Sequence, residues 1–581
     1  MEAQVVVGQR GSCRVTGPVK GAIVPSTVQA VLAARIDRLV EDDRRLLQSA
    51  AVIGKDVPFA LLNAIADMPE DELRGKLARL QRAEFLYEMR PSPDVLEYTF
   101  KHALTYEVAY QSLLSNRRRA LHARIAEAIE TLYADRLADH VEQLAHHALC
   151  GEQFERAVTY AREAGARALT RSAYRNSVEH FDQALAALAH LPADRTTSET
   201  AIDLRFDLRT ALTPLGEHGR IIEHLREAEA LAQTLGDDLR LGRVSAYLAD
   251  YFRQVGEHDR AISSGERALA IARRLGNLTL EIASNTYLGH ACQNTGQYRR
   301  AITLFQRNAN LASGDLVRHT FGLPFVSSVQ SRTWLAGCLN ELGEFAAGIE
   351  AAGEAIRIAE MIDHAASLAT ACSVLGNLYL RMGETGQALP FLERGYALSR
   401  TGNLNIWMPN AESWLGLAQL RLGRLEEGLR LLQSAVDRER SMARLAHHSV
   451  RLAALAEGYL WLGQAHAAAS TSAQALDLSR KQGERGNEAH ALRGLAEIAA
   501  RSNPPALDDA EAAFRRGLGL AEELEMRPVA AQCHLGLATL LRESSRADEG
   551  RRHLDEAHTL FYAMGVQALD AQGEAERARL S

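Results

Sequence analysis

Lysine is the residue whose pattern excludes most chemistry in this chain. Lys20, Lys55, Lys76, Lys101 and Lys481 are the only five, against 61 arginines. A phosphate-cradling loop needs a Gly-Lys pair followed by Ser or Thr, because the lysine reaches the phosphates and the hydroxyl binds magnesium. Gly54-Lys55 is followed by Asp56 and Gly75-Lys76 by Leu77, and neither has a glycine five residues before its own. The sequence also lacks H-E-x-x-H, G-x-S-x-G and the kinase motifs. Gly8-Gln9-Arg10-Gly11 has no convincing strand before it and no helix after it, so it reads poorly as a phosphate loop. His140, His146 and His147 can share a helical face, and His447-His448 forms a second pair. A metal site needs more ligands and a closed shell, so solvated helix histidines are expected. The expectation is a chain that is not an enzyme and that holds neither cofactor nor metal.

Composition sets the frame for whatever those residues do. Of 581 residues, 47% are apolar and 24% charged, the balance of a globular protein with several cores. Aromatics are only 6%, and the prevalence of Ala, Leu, Arg and Glu favours helix over strand. A net charge of -7 gives no general affinity for polyanions. Cys13, Cys150, Cys292, Cys338, Cys372 and Cys533 stand far apart, as in a reducing compartment. With no long apolar run and no leader-like segment, the expected location is cytoplasmic, without a membrane partner.

A repeat dominates the second half. Leu208, Leu248, Leu288, Leu335, Leu375, Leu415, Leu455, Leu495 and Leu535 succeed one another at steps of 40 residues, except one step of 47. From Leu208 to Leu455, a glycine lies eight residues on: Gly216, Gly256, Gly296, Gly343, Gly383, Gly423 and Gly463. Small residues recur 13 and 20 positions after the leucine, among them Ala261, Ala301, Ala388, Ala268 and Ala355. The spacing describes a helical hairpin. The leucine is a knob of the first helix, and the glycine ends that helix with positive φ. The two small residues, seven apart, let the second helix pack back. One hairpin cannot bury its apolar face, so neighbours must stack into a superhelix.

These positions resemble the tetratricopeptide repeat, and Leu288-Gly289, Gly296, Tyr298, Ala301 and Phe305 form a good copy. The last two units depart from it, with Asn503 and Glu543 in place of the glycine. The expected fold is therefore predominantly all-α, a TPR-like α-solenoid preceded by a small winged-helix domain. Residues 1–24 read as a linker, 25–116 as the winged helix, 117–191 as a helical connector with an irregular repeat, and 203–578 as nine repeats. The polar stretch Pro192–Thr200 separates connector from array. The winged helix is read from helices near 26–39, 42–53, 59–66 and 71–83. A hairpin of Phe85–Glu88 and Leu96–Phe100 then turns at Pro91–Asp94. Its candidate recognition helix carries Arg74, Lys76, Arg79 and Arg82 but also Glu70, Asp71, Glu72 and Glu84. Residues 25–125 hold 15 basic against 14 acidic side chains, a poor footprint for DNA.

Several segments carry a wider resemblance. Val24-Pro25-Ser26-Thr27-Val28-Gln29, Ala50-Ala51-Val52-Ile53-Gly54, Tyr98-Thr99-Phe100-Lys101-His102-Ala103-Leu104 and Arg117-Arg118-Arg119-Ala120-Leu121-His122 are among them. With Phe321-Gly322-Leu323-Pro324 and Trp334-Leu335-Ala336-Gly337, they resemble bacterial class III adenylate cyclase–STAND-type ATPase–TPR proteins. The resemblance implies that a cyclase and an ATPase precede such segments, that this chain begins where the ATPase ends, and that it is the sensor-and-scaffold half. It also implies that His102 can contact a nucleotide phosphate on a partner ATPase; the alternative is a histidine that merely closes the hairpin.

The expected function is a non-catalytic signalling or regulatory scaffold. Its groove binds a protein, peptide or small effector, and its winged helix docks an ATPase or output domain. Two other classes stay open: a DNA-binding transcriptional regulator with a TPR sensor, and the regulatory half of a split cyclase or ATPase. Side chains two and five or six residues after each leucine face the concave side in such repeats. They give Asp250, Arg253, Gln254, His290, Gln293, Asn294, Asn340, Glu341, Asn377 and Arg381, with Tyr287 and Trp334 one residue before their leucines. Amides and arginines can hold a peptide backbone or a carboxylate. The same residues also suit an ordinary solvated concave face. The longer repeat step places a loop near Phe321–Phe325 that can reach over the groove.

Overall fold

The computed structural model describes residues 6–9, 12–15, 26–92, 95–442, 444–502, 504–542 and 546–566. They fall into two compact units, residues 1–197 and 198–581. The positions of Asn503 and Glu543, and the tip of the expected hairpin at Pro93-Asp94, lie outside the described residues.

The first unit combines helices with short strands. Val6–Gln9 pairs antiparallel with Ser12–Val15, Val6 opposite Val15. A strand therefore does precede Gly11, and the segment after it is a second strand, not the helix a phosphate loop requires. Helices Ser26–Asp37, Glu41–Ile53, Phe59–Ile65 and Glu70–Arg82 match the segments read from periodicity. Leu73, Leu77 and Leu80, spaced four and three apart, bury one face of the last helix against Leu46, Leu47, Leu86 and Phe100. The hairpin Leu86–Ser92 and Val95–Phe100 sets Leu86 opposite Phe100. A third strand, Asp56–Pro58, adds to it with Asp56 opposite Thr99. Three residues ending in proline are too short to show an alternation, so no sequence pattern marks this strand. Further helices, Ala103–Gln111, Ser115–Leu132, Val141–Cys150, Phe154–Thr170 and Tyr174–Leu188, follow in the unit.

The second unit is an array of helical hairpins of the tetratricopeptide type. Nine hairpins run from Arg195–Leu212 with His218–Leu235 to Arg527–Leu541 with Ala547–Met564, counted among the described residues. The first helix starts at Arg195, inside the polar stretch expected to be a separator. Asp194 Oδ1 accepts from the backbone N–H of Thr197 at 2.8 Å and opens the helix there. Gly216 and Gly343 end their helices at φ +69° and +72°, the left-handed conformation expected of the glycine eight residues on. The small residue after the leucine receives the second helix. A side-chain carbon at Gly289 would stand 2.8 Å from the Phe305 ring, and one at Gly376 would stand 2.6 Å from Leu392.

The superhelix winds back onto itself. Leu445 donates its N–H to the carbonyl of Gln254 at 3.1 Å, and Arg527 Nε donates to the carbonyl of Leu342 at 2.8 Å, 185 residues away. Arg299 meets Glu525 at 2.9 Å, 226 residues along the chain. The loop glycines sit at this seam. A carbon on Gly216 would stand 2.7 Å from the Met442 carbonyl oxygen, and one on Gly343 would overlap Met564 Sδ, whereas Gly423 and Gly463 face open space. First helices of distant repeats therefore share one interior.

Candidate functional site

That interior is where the expected groove residues gather, and they divide into two groups. The first is a closed network. Asp250 accepts from Arg209 Nη2 at 2.5 Å and from Arg253 Nη2 at 2.9 Å, and Gln254 Nε2 donates to it at 2.9 Å. Burial alone raises a carboxyl pKa, yet Arg253 and Arg209 hold Asp250 down at about 2. Tyr287 is buried beside Arg209, and desolvation pushes its phenol upward. His290 packs edge-on to Trp334, ring centroids 4.6 Å apart. Burial, with the charge of Arg253, pushes its pKa down to about 3. The Asp250 bond to Arg209 holds neighbouring first helices together, and its bond to Arg253 lies within one helix.

The second group faces open space. Gln293, Asn294, Trp334, Asn340, Glu341, Asn377 and Arg381 line one cavity, together with Asn410, Trp414, His447, Arg451 and Asn487 from later repeats. The amide oxygens of Gln293, Asn294 and Asn340, and the amide nitrogen of Asn294, are buried without a hydrogen-bond partner among the described residues. Native interiors rarely leave such groups unpaired, and each costs roughly 1–3 kcal/mol when it is. Glu341 accepts from His490 Nε2 at 2.9 Å and from Arg381 Nη2 at 3.1 Å. Against the effect of burial, Arg381 and His490 hold its pKa at about 2. Trp334 stacks parallel to His447 at 6.4 Å and meets Trp407 edge-on at 5.7 Å.

Arg381 and Asn377 continue into a second cavity with Trp414, Leu417, Arg421, Arg451, Glu457, His490, Arg493 and Glu497. A third and roomier one, with about 1570 Å³ of empty space open to solvent, shares Arg381, Arg421, Glu457, Arg493 and Glu497. Apolar side chains, Leu460, Trp461, Phe514, Leu535 and Leu540, supply much of its wall. The expected set ends at Arg381, although the same offsets carried three repeats further give Leu417, Arg421, Glu457 and Glu497. His490, Arg451 and Arg493 precede their leucines, and only the winding brings them inward. The Phe321–Phe325 loop lines none of these three cavities. Leu323 is instead buried in an apolar cluster with Ile271, Leu280 and Tyr287, against which Phe321 packs. An apolar loop tip gains more by burial there than by reaching into a polar channel.

Two features lie in the first unit. His102 is exposed, at the start of the helix Ala103–Gln111. His122 and His147 are buried, against the expectation of solvated histidines for His147, and their Nδ1 atoms are 2.8 Å apart. Tyr110 Oη fixes the other face of His122 at 3.0 Å from Nε2. Desolvation pushes the two rings to about 4 and about 3, so they stay neutral. With the exposed His146 they offer ligand atoms within 4.8 Å of one another, the one such histidine group among the described residues. In the structure the two buried rings are joined to each other by this hydrogen bond.

Comparison with known proteins identifies residues 328–401 with the tetratricopeptide repeat. No curated protein matches the chain. Among solved structures, a Rap protein complexed with competence and sporulation factor is 13% identical, with a TM-score of 0.48 over 63% of this chain and 98% of its own. The Rap conjugation gene regulator of plasmid pLS20, in complex with the Phr* peptide, is 14% identical, with a TM-score of 0.40 over 63% of this chain and 96% of its own. A STAND protein with a tetratricopeptide repeat sensor from Pyrococcus horikoshii is 12% identical, with a TM-score of 0.32 over 94% of this chain and 67% of its own. Among the described residues, no helix is long and apolar enough to cross a membrane.

Proposed function

We propose that this tetratricopeptide repeat protein is a non-catalytic signalling scaffold whose array takes up a protein segment, peptide or small effector in its interior. The observation that carries this reading is the set of unpartnered buried amides, Gln293, Asn294 and Asn340, around one cavity. Amide groups of both polarities, an aromatic wall of Trp334 and Trp414, and arginines suit an extended backbone with its side chains. The region 25–116 is read as a winged helix that docks an ATPase or output domain of the cyclase–STAND ATPase–TPR type, with exposed His102 available to a nucleotide phosphate. No cofactor enters this scheme.

A DNA-binding role finds little support in the helix Glu70–Arg82. Arg74 is tied to Glu70, Lys76 to Glu72 and Asp42, and Arg79 to Asp43 at 2.7 Å, so these cations are already matched. Phosphate contacts need cations that are free to release counterions.

The test is ligand footprinting on the full chain with an effector isolated by native mass spectrometry. Protection of Trp334 and Trp414 supports the proposal, and protection confined to the second helices of the hairpins contradicts it. The purified chain is also expected to show no ATP turnover. Turnover that a point mutation within this chain abolishes would overturn the non-catalytic reading.

A further inference from the structure

We propose that the interior binds an anionic group of the effector, a carboxylate of an acidic peptide, between Arg381, Arg421 and Arg493. This rests on the scaffold reading above and gives the effector a chemical class.

The groups that line the second and third cavities include more arginines than glutamates, and carboxylates outside those two match part of the difference: Glu341 bonds Arg381, and Glu439 lies 3.7 Å from Arg451. Four arginines and two glutamates line the second cavity: Arg381, Arg421, Arg451 and Arg493 against Glu457 and Glu497. The third repeats the imbalance, with Arg501 in place of Arg451. Arginine does not shed its proton in proteins, so these cations keep their charge. The pairing within the cluster is incomplete. Arg381 shares Glu341 with His490. Arg493 is bonded to Glu497, but its Nε is buried with no hydrogen-bond partner among the described residues. Arg421 donates to the carbonyl of Leu380, and among the described residues no carboxylate bonds it. Burial, with the like charges of Arg381 and Arg493, weakens its hold on its proton against the opposing charge of Glu457.

The helices bring these cations together. Arg381 and Arg421 end the helices Ala365–Arg381 and Met408–Arg421, while Arg493 comes from Arg485–Ala500, so three first helices converge on one space. A guanidinium presents its donors in a rigid fork that matches carboxylate and phosphate oxygens. Burying a cation with no bonded carboxylate, as at Arg421, is costly, and an anion beside it offsets that cost. Leu460, Trp461, Phe514, Leu535 and Leu540 adjoin the cluster in the third cavity, which favours an acidic residue flanked by apolar ones over a bare ion.

The experiment uses full-length protein and three decapeptide pools carrying the same neutral fluorophore. All contain Leu and Phe; one adds Asp and Glu, one Ser and Asn, one Lys and Arg. Inorganic phosphate is tested alone by thermal shift and as a competitor. The acidic pool should bind at least about tenfold tighter than the neutral one, and Arg421→Gln or Arg493→Gln should each remove about tenfold. Arg421→Lys should retain part of the affinity, and the melting temperature of each variant reports whether it folds; Arg493→Gln serves where Arg421→Gln does not. Equal or better binding of the neutral or basic pool overturns the inference and leaves the scaffold reading standing. A phosphate-induced rise in melting temperature that Arg421→Gln loses, without peptide binding, supports the anion site and assigns it to a small phosphate effector. No retention of any pool and no response to phosphate overturns the inference and removes the peptide scaffold with it.

Discussion

Glu341 and His490, 149 residues apart in the chain, meet through a 2.9 Å hydrogen bond inside the array. The bond links the helix Ser327–Leu342 to the helix Arg485–Ala500, four hairpins further on. Such pairs make the interior a single charged environment rather than a row of separate repeat surfaces, and they make it sensitive to acid.

The pH dependence has a definite sign. The folded pKa of His290 lies near 3, below its ordinary value of about 6.5, so the unfolded chain binds the proton first as pH falls. Stability is then lost from about pH 6.5 downward, by about 2 kcal/mol between pH 8 and pH 5 from this group alone. Glu341 and Asp250, both held at about 2, add a further loss once pH drops below the ordinary carboxylate range and on toward 2. Urea midpoints at pH 8 and pH 5 measure the first effect, and His290→Asn should shrink the difference. Equal midpoints for the native chain would contradict the buried neutral ring.

Asp250 is the anion between two arginines, so Asp250→Asn leaves Arg209 and Arg253 buried with their charge unmatched. A loss of about 3 kcal/mol is expected from urea unfolding. For the same reason Arg253→Ala should lower the melting temperature, although a solvated groove residue would tolerate it.

The seam predicts a contrast between two glycines with the same backbone. Gly216 and Gly463 have φ of +69° and +72°. A methyl at Gly216 collides with the Met442 carbonyl, whereas one at Gly463 meets nothing within 4 Å. Gly463→Ala should cost about 1–2 kcal/mol for the left-handed conformation alone. Gly216→Ala should cost more, as a backbone must shift. Equal losses in denaturant melts would mean that the turns do not pack as described.

The hairpins were legible because Leu208 and its successors, with glycine eight residues on, repeat a local rule that each unit obeys by itself. The helices of the first unit were legible for a similar reason, since Leu73, Leu77 and Leu80 mark one face. What the sequence hid is non-local. No spacing rule tells that Gly216 meets Met442 or that Arg493 turns toward Arg381, because the small rotation between hairpins accumulates over several units before those residues meet. The offsets named Asp250 and Arg253 as readily as Asn377 and Arg381, since side chains on one helix face look alike until the winding closes over some of them. Asp250 and Arg253 are bonded to each other away from the cavities, whereas Asn377 and Arg381 line open space although Arg381 also bonds Glu341.

The central claim is that the interior, and not the outer face, receives the effector. A photocrosslinking amino acid placed at Asn377, which lines two of the cavities, and separately at the exposed Glu393 on the second helix of the same hairpin, tests it in the full chain inside its own cells. A discrete adduct from position 377 and none from position 393 is the expected result. Adducts from position 393 alone, or equally from both, would contradict the account.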